Sequence, residues 1–158
     1  MPPVSSKPKR PGISDSGSLG TPLSMPIPGR VVAVGVDLTD VARVRSLVTR
    51  HPQRFARRVL SSEEAAYCLS RPDPAPHIAA RFAAKEAVIK CLGGGCSLRE
   101  IEVERALSGA PSVKLHGRAK ARAGACQVRV SLSHLDQIAA AFAVLVALEP
   151  MPTESTPP

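Results

Sequence analysis

The apolar positions of the chain change rhythm several times, and each change marks an element. Val31-Val32-Ala33-Val34-Gly35-Val36-Asp37 is a continuous β-branched run of strand length, the pattern of a strand buried on both faces. Gly35 inside it signals something packed close against the backbone, and Asp37 ends the run with a carboxylate. Thr39 is the expected N-cap of a helix reaching about Thr49, with Val41, Val44, Leu47 and Val48 on its inner face. Ser61 and Glu64 have capping-box spacing for a further helix. Arg71-Pro72-Asp73-Pro74-Ala75-Pro76 reads as a loop, because proline excludes the helical region for the residue before it.

From Ile78 to Leu92 there is no Pro or Gly, and the prevailing Ala, Lys, Glu and Leu lose little rotamer freedom in a helix. Gly93 supplies the stop. By the 3.6-residue period Phe82, Ile89 and Leu92 share one stripe of this long helix, while Ala83, Glu86 and Lys90 share the next. Beyond it, Ile101 to Glu104 and Ser112 to His116 alternate apolar and polar around the turn Ser108-Gly109-Ala110-Pro111, which predicts a hairpin. Gly117 to Gly124 is a short basic helix, Gln127 to His134 alternates again, and after a turn near Asp136 the run Ile138 to Leu148 makes a last buried strand. One strand, three helices and then several antiparallel strands define an α+β domain.

Composition bounds this domain on both sides. Residues 1–30 hold seven prolines and six serines, too little apolar surface to offset ordering entropy, and are expected to be a disordered extension. Met25 stands just before the first structured run. Four prolines in residues 150–158 predict a frayed tail, so the folded unit is 31–149. Aromatics are only 3%, with no Trp, so the core is expected to be aliphatic and alanine-rich, and base-stacking platforms for single-stranded nucleic acid are nearly absent. No helix-turn-helix or zinc-finger pattern is present. The cysteines, Cys68, Cys91, Cys96 and Cys126, form no CxxC pair and read as small buried residues in a reducing compartment. No apolar h-region opens the chain, and its longest apolar run has 11 residues, short of a bilayer span. A soluble, cytoplasmic protein with no membrane partner is expected.

Charge adds a direction. The net charge is +8, and 15 of the 21 basic residues are arginine, the side chain suited to forked contacts with phosphate and carboxylate. Arg43, Arg45, Arg50, Arg54, Arg57 and Arg58 fall between Val41 and Leu60 with no acidic residue among them. Solvated helix faces usually mix signs, so this stretch predicts a surface for an anionic ligand or an acidic protein. Glu86 and Lys90, taken alone, fit a surface ion pair four residues apart. Asp37 alone fits a helix cap, His134 a turn histidine, and Gly93-Gly94-Gly95 a helix stop.

Together the pieces resemble a family. Gly35-Val36-Asp37-Leu38, Arg54-Phe55-Ala56, Arg81-Phe82-Ala83-Ala84-Lys85-Glu86-Ala87 with Lys90, Gly109-Ala110-Pro111 and Val130-Ser131-Leu132-Ser133-His134 are similar, in order and approximate spacing, to the holo-acyl-carrier-protein synthase group of 4′-phosphopantetheinyl transferases. The resemblance covers residues 31–148. It implies that group's fold, an antiparallel sheet packed against a long helix. It also implies the group's reaction: magnesium-dependent transfer of 4′-phosphopantetheine from coenzyme A to a serine of an apo acyl carrier protein, with release of adenosine 3′,5′-bisphosphate.

By the same resemblance Asp37 and Glu86 are magnesium ligands, consistent with a hard ion that takes one or two carboxylates and leaves its other positions to phosphate oxygens and water. Lys90 touches the same phosphates. Arg81, Gly93, Gly94, Gly95, Pro111, Ser133 and His134 match positions near coenzyme A, and the base is Glu86, a water on the metal, or His134. Arg43, Arg54 and Arg58 match positions that meet the carrier's acidic helix. A homotrimer with sites at subunit contacts is implied as well. Two departures are visible: Ser133 stands where the group often has Thr, and no threonine interrupts the three glycines. The competing class is a non-catalytic, arginine-rich module that docks on acidic proteins or RNA.

Overall fold

A computed structural model describes residues 29–106 and 109–148. The expected extension and tail lie outside these residues, save Gly29 and Arg30 of the former, and so does Ser108 of the hairpin turn. The element order is β1 (Arg30–Asp40), α1 (Val41–Arg50), α2 (Pro52–Val59), α3 (Ser62–Leu69), α4 (Pro74–Cys91), a 3₁₀ turn (Leu98–Glu100), β2 (Ile101–Arg105), β3 (Pro111–Leu115), α5 (Gly117–Ala123), β4 (Cys126–His134) and β5 (Ile138–Ala147). The α+β class and the long helix against an antiparallel sheet are as the sequence predicts.

The larger sheet has the order β1-β5-β4, antiparallel throughout, and β2 pairs with β3 as the hairpin. The helix α4 lies across its inner face. Its Ala83, Ala84, Ala87, Val88 and Cys91 pack with Ala141, Ala143 and Leu145 of β5 and with Ile101 and Val103 of β2. Small residues on both sides bring helix and sheet close, which is how an alanine-rich core reaches native density without aromatics. Gly35 shows how close: a Cβ there would strike the carbonyl oxygen of Ala87, so α4 is the neighbour that the strand glycine signalled. A second cluster, Val41, Val44, Val59, Leu60, Cys68, Ile78, Ala79, Ala80 and Ala139, fastens α1 to α3 onto the same helix.

Several local expectations change. Asp40, not Thr39, caps α1: its Oδ1 accepts from the Arg43 amide at 2.7 Å, while Thr39 is still in β1. A further helix not foreseen, α2, carries the second half of the arginine stretch, with Pro52 in its first turn, where proline costs no hydrogen bond. For the same reason α4 starts at Pro74, inside the expected loop, capped by Asp73 accepting from the Ala75 amide. Leu47 is exposed rather than inward-facing. Of the cysteines, Cys68 and Cys91 are buried, Cys96 and Cys126 half-buried, and all four are free.

The largest correction concerns the sheet. β1 is not buried on both faces: Val34, Val36 and Leu38 are 57%, 58% and 69% exposed, and their neighbour Phe142 on β5 is 45% exposed. The inner face of β1 meets α4, whereas nothing within the described chain covers the outer one. β5 is the central strand, and it too alternates, with Ala139, Ala141, Ala143 and Leu145 inward and Ile138 and Phe142 outward.

Candidate active site

Asp37 sits on β1 and Glu86 on α4, and the close crossing at Gly35 brings the two elements together. Both carboxylates line a cavity of ≈ 350 Å³ whose walls include Arg43, Leu47, Phe55 and Phe82. Burial, and after it the charge of Asp37, raises the pKa of Glu86 above the ordinary glutamate value, against the opposing pull of Lys90. Lys90 does not pair with Glu86 as a helical i, i+4 couple. Its ammonium donates to Asp37 Oδ1 at 2.8 Å and to the Val36 carbonyl at 3.0 Å. Thr39 Oγ1 donates to the other Asp37 oxygen at 3.0 Å. Asp37 is therefore no helix cap. The arrangement is a pair of carboxylates balanced by one ammonium, a donor set that suits a hard divalent cation.

One and a half turns toward the start of α4, Arg81 opens a second cleft of ≈ 400 Å³ that also takes in Tyr67, His77, Pro111, Ser133 and His134. Arg81 is buried, its guanidinium carbon 4.1 Å from the centre of the Tyr67 ring. Arg71 stacks on the same ring at 4.3 Å. The Nε atoms of both arginines are buried without a hydrogen-bond partner among the described residues. The His77 and His134 rings meet edge to face with centroids 4.8 Å apart. Ser133 and His134 end β4 at the mouth of the turn to β5. A cleft lined by the Arg81 guanidinium and two imidazoles suits an anion.

Gly93, Gly94 and Gly95 follow α4 with φ of 74°, 77° and 73°. The Gly94 amide donates to Ile89 O at 2.8 Å and the Gly93 amide to Lys90 O at 3.1 Å, the bonds of a glycine C-cap. Arg122 of α5 lies over this loop, its guanidinium against Gly95 and donating to Leu92 O at 3.3 Å. Arg54 and Arg58 are exposed on α2, and Arg43 is exposed on α1. Arg45 is taken by Asp73, with paired contacts at 2.7 and 2.8 Å.

The sequence-predicted residues thus separate into two groups within one chain: Asp37, Glu86, Lys90 and Arg43 at one cleft, Arg81, Pro111, Ser133 and His134 at the other. Tyr67 and His77 were not foreseen. Tyr67 is the only tyrosine of the chain, yet its place beside Arg81 depends on how α3 packs on α4. Lys85 was also missed. It lies next to Glu86 in sequence but points inward, where its ammonium meets Glu64.

Comparison with known proteins identifies the family and the fold. A family model for the 4′-phosphopantetheinyl transferase superfamily matches residues 33–143. The holo-[acyl-carrier-protein] synthase of Moorella thermoacetica is 44% identical over 121 residues, which span 73% of this chain and 94% of that one. Among solved structures, the holo-ACP synthase of Plasmodium yoelii superposes with a TM-score of 0.67 at 28% identity, covering 76% of this chain and 98% of its own. The Helicobacter pylori holo-[acyl-carrier-protein] synthase in complex with coenzyme A gives a TM-score of 0.64 at 28% identity, over 71% and 98%. The chain belongs to the 4′-phosphopantetheinyl transferase superfamily and, within it, to the holo-[acyl-carrier-protein] synthases.

Proposed function

We propose that the protein moves the 4′-phosphopantetheine group of coenzyme A onto a serine of an apo acyl carrier protein, with Mg²⁺ held by Asp37 and Glu86 and adenosine 3′,5′-bisphosphate released. The observation that carries this reading is the meeting of Asp37 and Glu86 at one cavity, with Lys90 as the nearest cation. Bound there, magnesium would neutralise charge on the pyrophosphate as its bond breaks. In the reaction the serine oxygen forms a bond to the β-phosphorus, the bond from that phosphorus to the adenosine bisphosphate portion breaks, and the hydroxyl proton leaves to a base at the site. Lys90 holds phosphate oxygens as a point charge.

Arg81, Pro111, Ser133 and His134 supply the coenzyme A cleft, where the Arg81 guanidinium lines the pocket together with the two imidazoles. The glycine loop at Gly93 to Gly95 lies beside the nucleotide. That these residues and the two carboxylates occupy different clefts of one chain supports a site assembled between subunits. The exposed Val34, Val36, Leu38 and Phe142 form an apolar sheet face of the kind that another subunit covers, in keeping with a homotrimer. Arg43, Arg54 and Arg58 receive the acidic carrier. No helix among the described residues is long and apolar enough to cross a membrane, in keeping with a cytoplasmic enzyme. The test is transfer of a fluorescently labelled pantetheine from coenzyme A to apo carrier: labelling that needs Mg²⁺ is expected, and binding of carrier without labelling would favour a non-catalytic module.

A further inference from the structure

We propose that Lys90 is an internal counter-ion that holds the place of the divalent cation on Asp37 and is displaced from it when the metal binds. The inference rests on the assignment of Asp37 and Glu86 as metal ligands. Both Asp37 oxygens already have partners: Thr39 Oγ1 on Oδ2 at 3.0 Å and Lys90 Nζ on Oδ1 at 2.8 Å. A hard cation bonds a carboxylate oxygen directly, at shorter range than an ammonium. On Oδ1 it would sit beside the Lys90 ammonium, and two cations crowded on one oxygen repel each other, so the metal is held best once the ammonium has moved off.

The side chains are built for such an exchange. Asp37 is fixed, 14% exposed, within a paired strand, whereas Lys90 is 53% exposed on a flexible stem. Its second anchor is a single carbonyl, Val36 O at 3.0 Å. Breaking a half-exposed pair of this kind costs little. Meanwhile no hydrogen bond or ion pair among the described residues engages the Glu86 carboxylate, so the ammonium is spent on Asp37 alone and Glu86 has no direct counter-ion. A divalent cation would satisfy both acids at once. The freed ammonium would stay tethered one turn from Glu86, beside the phosphates that share the metal. Lys90 thus keeps the metal-free site from an uncompensated pair of carboxylates, and metal entry hands its charge to the substrate.

The test is Mn²⁺ titration of the full chain, without coenzyme A, read by electron paramagnetic resonance. Lys90→Met should bind Mn²⁺ more tightly than the unaltered protein, by about 1.4- to 5-fold, the range set by release of an exposed ion pair. Lys90→Arg, which keeps the charge, should show no tightening. Circular dichroism of both variants should match the unaltered protein, since Lys90 is half-exposed. Binding that weakens in Asp37→Asn and Glu86→Gln but is no tighter in Lys90→Met would overturn the exchange while leaving the ligand assignment intact. Binding indifferent to Asp37→Asn and Glu86→Gln, or absent from every variant, would overturn both.

Discussion

Lys85 and Glu64 form an ion pair at the centre of the molecule, 2.6 Å apart, with each side chain only 1% exposed. The same Glu64 closes the capping box of α3 through the Ser61 amide at 2.7 Å and accepts from the Val103 amide of β2 at 3.0 Å. Lys85 also donates to the Val59 carbonyl. The pair therefore ties α2, α3 and β2 to the residue that precedes Glu86 on α4.

Removing one partner leaves the other charge buried and alone. Lys85→Met is expected to cost about 3 to 5 kcal/mol in urea unfolding. Replacing both, Lys85→Met with Glu64→Leu, should cost clearly less than the sum of the single changes, because no orphan charge remains.

His77 makes the chain sensitive to mild acid. Burial, then His134, Arg71 and Arg81, hold its pKa below the ordinary 6.5, with Asp73 opposing. Between 6.5 and that lower folded value the unfolded chain takes up the proton and the native state does not, so stability falls as pH falls through this window and the loss is complete below it. An NMR titration should place the His77 midpoint under 6.5 and move it upward in His134→Ala. His77→Phe should remove this part of the acid-side loss.

Arg54 and Arg58 lie exposed on α2 with no acidic residue in that helix. Changing both to Glu should lower kcat/KM for the carrier by roughly tenfold or more at low salt while leaving kcat nearly unchanged, since such charges act on encounter. The deficit should shrink as salt rises.

The outer sheet face should be covered in solution. Phe142→Asp places a charge opposite Val36 in the register and is expected to shift sedimentation from the oligomer to the monomer, with transfer lost and circular dichroism retained. An unchanged oligomer would remove the sheet face from the subunit contact.

The sequence carried a good part of this molecule because its signals are local. The period of residues 78–92, the Ser61-Glu64 box and the strand glycine at Gly35 each name their own structural role, and the structure keeps all three. What it could not carry is pairing across distance. Glu64 looks complete as a cap, and only the fold reveals that Lys85, 21 residues on, completes a buried ion pair with it. Lys90 fits a helical partner for Glu86 equally well until β1 brings Asp37 to it. The outer face of β1 misled for a related reason. A run of valines reads as buried on both sides, and one of those sides is left for something other than the chain itself. Thr39 and Asp40 are both good caps, and the longer reach of β1 decides between them.

The most direct test is intact-mass spectrometry of an apo acyl carrier protein incubated with coenzyme A and Mg²⁺. With the unaltered enzyme the carrier should gain the mass of one phosphopantetheine group, and with Asp37→Ala or Glu86→Ala it should gain none while the variants remain folded. A carrier unmodified by the unaltered enzyme, or modified equally well by both variants, would contradict transfer at a metal held by Asp37 and Glu86.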